Sequence, residues 1–390
     1  MGQVIRKDVG GAVTTFTYTT TGKLLRATAP GVSLTIERDA TGRALSETLN
    51  DRTTTYEYDA VGRRTSRTTP TGATSSFAYD AAGRRTALTT AGRTFAFEYD
   101  AAGRELARHI GGTVTLANTF DSQGRLALQS VTADGRPVQQ RAYTYRPDGH
   151  LVALDDQLNG ASRFGLDTTG RVTTVDATDW SERYAYDQAG NLTQAEWPAS
   201  HPGHEATGRR TYANTCITGA GRVRYEHDAA GRITLRQKIR LSRKPDTWRY
   251  TWDAEDRLAS VTTPDGTVWQ YQYDPLDRRI SKQRLAADHA SVVEQTDFTW
   301  DGETLCEQTT TAVALPLPVT SQGPSDCGGG IVAVGEVHDS DGERADGSLA
   351  LEGPQAVGCV HDADLCEQPR DPLECAGHLR PWLLLGFWRQ

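Results

Sequence analysis

A six-residue word, Tyr-Asp-Ala-Ala-Gly-Arg, occurs unchanged at Tyr79–Arg84 and again at Tyr99–Arg104. Variants stand around it: YDAVGR at Tyr58–Arg63, FDSQGR at Phe120–Arg125 and HDAAGR at His227–Arg232. Asp39, Asp59, Asp80, Asp100 and Asp121 follow one another at steps of 20, 21, 20 and 21 residues. The beat returns at Asp167, Asp187, Asp228, Asp253, Asp274 and Asp301. A short fixed period means one supersecondary unit made many times, each unit touching chiefly its neighbours. Such a chain folds as an array, not as a globule around one cleft.

The unit reads as a β-hairpin. Phe95, Phe97 and Tyr99 alternate with Thr94, Ala96 and Glu98, so the rings share one face of a strand. The same spacing recurs as Phe16/Tyr18, Tyr56/Tyr58, Phe77/Tyr79, Tyr143/Tyr145, Tyr184/Tyr186, Tyr250/Trp252, Tyr271/Tyr273 and Phe298/Trp300. The following Asp starts a turn by bonding its own backbone two residues on. Gly three residues later supplies the positive φ of a type I turn with a bulge. Asp256 and Asp277 replace that glycine with a residue that tolerates the same region. After the arginine, Leu126, Val172, Leu192, Ile233 and Leu258 begin the return strand. The expected fold is all-β: tandem antiparallel hairpins in a twisted, spiralling sheet or partial shell. The residues expected to make its turns are Asp59, Gly62, Arg63, Asp80, Gly83, Arg84, Asp100, Gly103, Arg104, Asp121, Gly124, Arg125, Asp187, Gly190, Asp228, Gly231 and Arg232.

The array is expected over residues 1–310, with an irregular tail over 311–390. The tail holds 12 Asp/Glu against 4 Lys/Arg, so it carries all of the net charge of −8; it has no Tyr and holds four of the six cysteines. It is expected to be a translation out of frame, in preference to a disordered segment or a variable C-terminal domain. The array balances its charges, which gives no electrostatic case for nucleic acid. The basic cluster Lys238, Arg240, Arg243 and Lys244 reads as a solvated hairpin tip. With only Cys216 and Cys306 in the array, there is no disulfide framework. MGQVIRKDVGG lacks the apolar stretch of a signal peptide, and the pattern is already running by Thr14, so a longer protein is expected. The apolar run Trp382–Trp388 is too short to span a membrane.

The beat falters twice. Arg146 takes an Asp position, after extra residues around Asp134–Pro137; Glu205 and Gly208 fit the slot missing between Asp187 and Asp228. Loops inserted into repeats gather on one rim.

About a dozen such words, over residues 14–310, resemble the YD repeats of Rhs (rearrangement hotspot) proteins, which also occur in insecticidal toxin complexes and teneurins. YDPLDRRI at Tyr273–Ile280 and FTWDGETL at Phe298–Leu305 resemble the late part of an Rhs core. The resemblance implies a hollow β-shell that encloses a C-terminal toxin and delivers it to a neighbouring cell. The partners it implies are the rest of the shell and a toxin cargo, and it implies a secreted or cell-surface location within a longer protein. The family's self-cleavage word is not found: Asp371-Pro372-Leu373 lacks its glycine, so no cleavage residues are carried over.

Other chemistry is weighed against packing. One Asp per repeat followed by Gly is an ordinary turn, and the period is about twice that of calcium-binding β-rolls. Arg43, Arg63, Arg84, Arg104, Arg125, Arg171 and Arg232 are expected to stack on neighbouring rings or to pair with an acid of the next hairpin. Aromatic rows that include Trp252 and Trp269 leave a carbohydrate-binding or adhesion array, with a cell-surface glycan as ligand, as the alternative. Cys359, His361, Cys366, Cys375 and His378 match no usual zinc spacing and read as a chance cluster. No nucleophile elbow, phosphate loop or HExxH stands in the chain, so the expectation is no enzyme, no catalytic residue, no metal and no cofactor.

Overall fold

The structure is a computed structural model that describes residues 2–312. All but two residues of the expected tail, with its Cys/His cluster, lie outside the described residues. The described chain forms 29 strands, from β1 (Arg6–Val9) to β29 (Thr304–Ala312), and one short 3-10 turn at His204–Ala206. Every strand pairs antiparallel with the next. The all-β hairpin array is therefore the fold of residues 6–312.

The local chemistry explains each hairpin. In the strand Arg52–Tyr58 (β6), Thr54 and Tyr56 are buried while Thr53, Thr55 and Glu57 are exposed. The turn that follows closes with two backbone bonds, Asp59 N to Arg63 O (2.9 Å) and Gly62 N to Asp59 O (3.0 Å). Gly62 sits at φ 89°, and the register slips between Glu57 and Tyr58, which is the expected bulge. Arg146 and Gly149 close a turn in the same way, and Asp256 and Asp277 take the glycine position at φ 62° and 64°.

These turns form one rim of the ribbon. The opposite rim carries mainly shorter or less regular turns, such as Asn50 at φ 52° and Ala91 at φ 47°, with turns at Thr69–Ala73 and Thr263–Thr267 that close like the Asp turns; the repeat word announces none of them. Both irregular loops, residues 197–207 and 239–245, lie on that opposite rim. The Glu205 slot is a correction: no hairpin turn forms there. Glu205 lies in the 3-10 turn, is buried, and its carbonyl accepts from Arg222 N at 2.8 Å. Lys238 is corrected with it, because it is no solvated tip: it bonds Glu205 at 2.6 Å and lies over Trp248.

Packing is local. One core joins Ala27, Leu34 and Ile36; another joins Val175, Tyr184, Leu192 and Ala195; a third joins Leu258, Val261 and Tyr271. Each draws on adjacent strands only, as a quasi-one-dimensional array should. The ribbon also curls back on itself. Lys7 meets Glu255 at 2.9 Å and Glu47 meets Arg278 at 2.6 Å. The short-turn rim of the first hairpins thus rests on the Asp-turn rim of the last, and the sheet is a spiral.

Candidate functional site

The repeat word builds a clamp between successive hairpins. In the unit that starts at Asp59, the carboxylate accepts from Val61 N (3.1 Å), Arg63 N (2.8 Å) and Arg63 Nε (2.7 Å). That fixes the arginine pointing forward along the rim. Its Nη1 then donates to the carbonyl of Asp80 at 2.8 Å, and its guanidinium lies 5.2 Å from the ring centre of Tyr79. The Tyr79 hydroxyl reaches back and donates to Arg64 O at 2.8 Å. Tyr and Asp are therefore adjacent for two reasons: the first docks on the preceding hairpin, and the second shapes its own turn.

The same contacts recur along the chain. Arg84 stacks on Tyr99, Arg104 on Phe120, Arg125 on Tyr145, Arg171 on Tyr186 and Arg232 on Trp252. The Trp252 indole N–H replaces the tyrosine hydroxyl, donating to Ile233 O at 2.8 Å. One half of the arginine expectation needs correction. The carboxylate partner is the aspartate of the same turn, four residues back, because that oxygen is already fixed by the turn. Only where Asp replaces the glycine does the arginine also reach an acid of the next hairpin, as Arg232 to Asp256 (2.7 Å) and Arg257 to Asp277 (2.9 Å).

Some clamp residues carry no motif. Lys23 stands in for the arginine and donates to Gly42 O at 3.1 Å. Gln3 does so for the turn before it, reaching Gly22 O at 2.7 Å. Asn191 replaces the arginine after Gly190 and bonds Asp187 through Nδ2 at 2.9 Å. The Arg84 backbone N–H, with the Arg84 guanidinium, holds the Asp80 carboxyl below the usual carboxylate range against partial desolvation; Asp100 and Asp121 are lowered by the corresponding groups of Arg104 and Arg125.

A second constellation lies where the spiral meets itself. Arg52 reaches Asp297 (3.3 Å), Thr299 (3.1 Å) and Glu307 (3.6 Å). Arg64 and Arg67 converge on Asp301, and Thr69 and Thr71 both donate to Glu307. Asp301 stands in the repeat beat, but no sequence signal marks the pairing, because the partners lie 234 to 255 positions apart. A third group is isolated. Glu182 is buried beside Val175 and accepts a hydrogen bond from the Tyr184 hydroxyl at 2.6 Å. Burial raises its pKa, and burial with the adjacent Glu182 raises that of Tyr184.

Among the described residues, no three or more His, Cys, Asp or Glu are grouped to hold a metal ion. Cys216 and Cys306 are both free thiols. One face of the outer ring in most repeats is taken by a guanidinium, so no observation favours a sugar-stacking platform.

A family model described as RHS Repeat matches residues 38–74, 65–94, 79–115, 246–268 and 252–290. A probable deoxyribonuclease RhsB of Dickeya dadantii is 30% identical over 204 residues, which is 48% of this chain and 13% of that protein. A double-stranded DNA deaminase toxin A of Burkholderia cenocepacia is 31% identical over 211 residues, 50% of this chain and 14% of that one. Toxin protein Tse5 of Pseudomonas aeruginosa is 28% identical, with 52% and 17% covered. The chain thus spans only 13–17% of the length of these relatives. Among solved structures, a TcdB2–TccC3–Cdc42 complex aligns over 81% of this chain and 19% of its own, at 17% identity and a TM-score of 0.49. The Photorhabdus luminescens Tc holotoxin pore aligns over 77% and 18%, at 17% identity and a TM-score of 0.47.

Proposed function

Because the chain belongs to the RHS/YD-repeat family, we propose that it is a stretch of the wall of a toxin-carrying shell. The observation that supports this most is the clamp. It ties each hairpin to the next through Arg, Asp and Tyr, and the unbroken ribbon it holds curls until its first hairpins rest on its last. A surface of that kind is suited to enclosing something. Its work is mechanical: it separates a cargo from its surroundings and performs no chemistry itself. The partners are the remainder of the shell and a toxin module, the effector being a separate domain, as the names of the related toxins suggest. The place of action is outside the producing cell, as part of a longer secreted or surface protein.

Protease protection tests the reading. The longer protein that contains this segment is treated with a non-specific protease, with its cargo tagged. The tag should survive while the wall is intact and be lost in a variant whose clamp arginines Arg63, Arg84 and Arg104 are all alanine. Equal digestion of the cargo in both proteins overturns the proposal.

A further inference from the structure

Two kinds of joint hold the wall together, and they differ in chemistry. Along the ribbon, neighbouring strands share backbone ladders reinforced by the clamps. Across the spiral, no strand between Ala44 and Tyr79 pairs with any strand between Arg279 and Ala312. That second joint rests on side chains. Arg52, Arg64 and Arg67 on one side face Asp297, Asp301 and Glu307 on the other, with Glu47 and Arg278 as a reversed pair. The joint is also incompletely satisfied: Arg67 Nε is buried there without a hydrogen-bond partner, and Glu307 Oε2 has only the Arg52 guanidinium at 3.6 Å. Groups buried without partners lose solvation that nothing replaces, so separating the two sides returns it.

We propose that this seam is a latch, the line along which the wall opens while every hairpin stays folded. Salt weakens this joint, because charge pairing holds it and the Debye length falls from about 10 Å at 0.1 M to about 3 Å at 1 M; partial burial tempers the effect, but the seam has no backbone ladder to hold it once the pairs loosen. Opening along the seam widens the spiral without melting a strand.

The test is small-angle scattering combined with hydrogen exchange on the whole chain, in about 0.1 M and about 1 M sodium chloride. The radius of gyration and maximum dimension should rise at high salt, with amide protection unchanged in the strands. Arg52→Glu should show the widened form already at low salt, and adding Asp297→Arg should reverse part of the widening, since the carboxylate at position 52 still faces Glu307. Unchanged dimensions in wild type at high salt overturn the proposal. So does an increase in size that comes with loss of protection throughout the strands, since that is unfolding. The wild-type salt series keeps the test decisive even if Arg52→Glu does not fold.

Discussion

At the scale of single residues, the aspartate and the glycine were readable because their roles are set within five positions of chain. The ring and the arginine were readable in type but not in partner. Arg63 reaches its own Asp59 and the next Tyr79, and spacing alone does not separate these from an acid one hairpin on. Lys23 and Gln3 were not readable as clamp residues, because only their reach into the next turn gives them the role. Glu182 belongs to the same class: alternation puts it on the ring face of its strand, but nothing in the sequence says that no cation meets it. A carboxyl with a raised pKa holds its proton more tightly folded than unfolded. Its contribution is therefore present at low pH and lost as pH rises above the ordinary glutamate range through the folded pKa. Glu182→Gln should remove that dependence and raise stability at neutral pH by on the order of 1 kcal/mol, since a buried charge becomes a neutral amide. Urea midpoints of both proteins between acid and neutral pH measure this. If the two curves stay parallel across the range, Glu182 is already solvated.

At the scale of elements, strand alternation and the Asp turns were legible because both are short-range rules. The opposite rim was not, because no single word runs through its turns: Thr-Pro-x-Gly marks those at Thr69 and Thr263 and not the others. The segment around Glu205 was placed in a hairpin slot by counting alone. The chain instead makes a 3-10 turn there, in a loop with Pro198, Pro202 and Gly203, and lodges its carbonyls against the turn at Gly221. A Cβ on Gly221 would stand 2.1 Å from Thr207 O and 2.8 Å from Glu205 O. Gly83 is a natural control, since its Cβ would meet nothing within 4 Å and only its φ of 82° resists substitution. Gly83→Ala should cost about 1 kcal/mol, the ordinary left-handed penalty. Gly221→Ala should cost about 2–3 kcal/mol, because the backbone must also move. Exchange should quicken over residues 197–222 and leave distant hairpins unchanged, as expected when repeats couple only to neighbours. Equal costs at the two glycines would show that the loop yields freely.

At the scale of the whole molecule, the period announces an array and a twisted sheet, but not where the ribbon meets itself. That meeting point depends on curvature summed over many hairpins, and its contacts join residues 231 to 257 positions apart. The repeats are interchangeable locally and not interchangeable globally, and one deletion separates the two. Removing Asp80–Tyr99 excises one complete unit and leaves Tyr79 directly before Asp100, so the word and the antiparallel alternation both survive. Arg63 can then clamp the next turn as before. Two strands fewer shorten the ribbon by about 10 Å, at the usual spacing of neighbouring strands. Arg52, Arg64 and Arg67 then no longer face Asp297, Asp301 and Glu307. The deletion protein should keep its strand content by circular dichroism and its hairpin protection by hydrogen exchange. It should lose the seam, and so match at low salt the widened dimensions that the full chain reaches at high salt. A deletion protein as narrow as the parent at low salt would mean that curvature adjusts to keep the charged partners together. One that unfolds would mean that the hairpins depend on the seam and not only on each other.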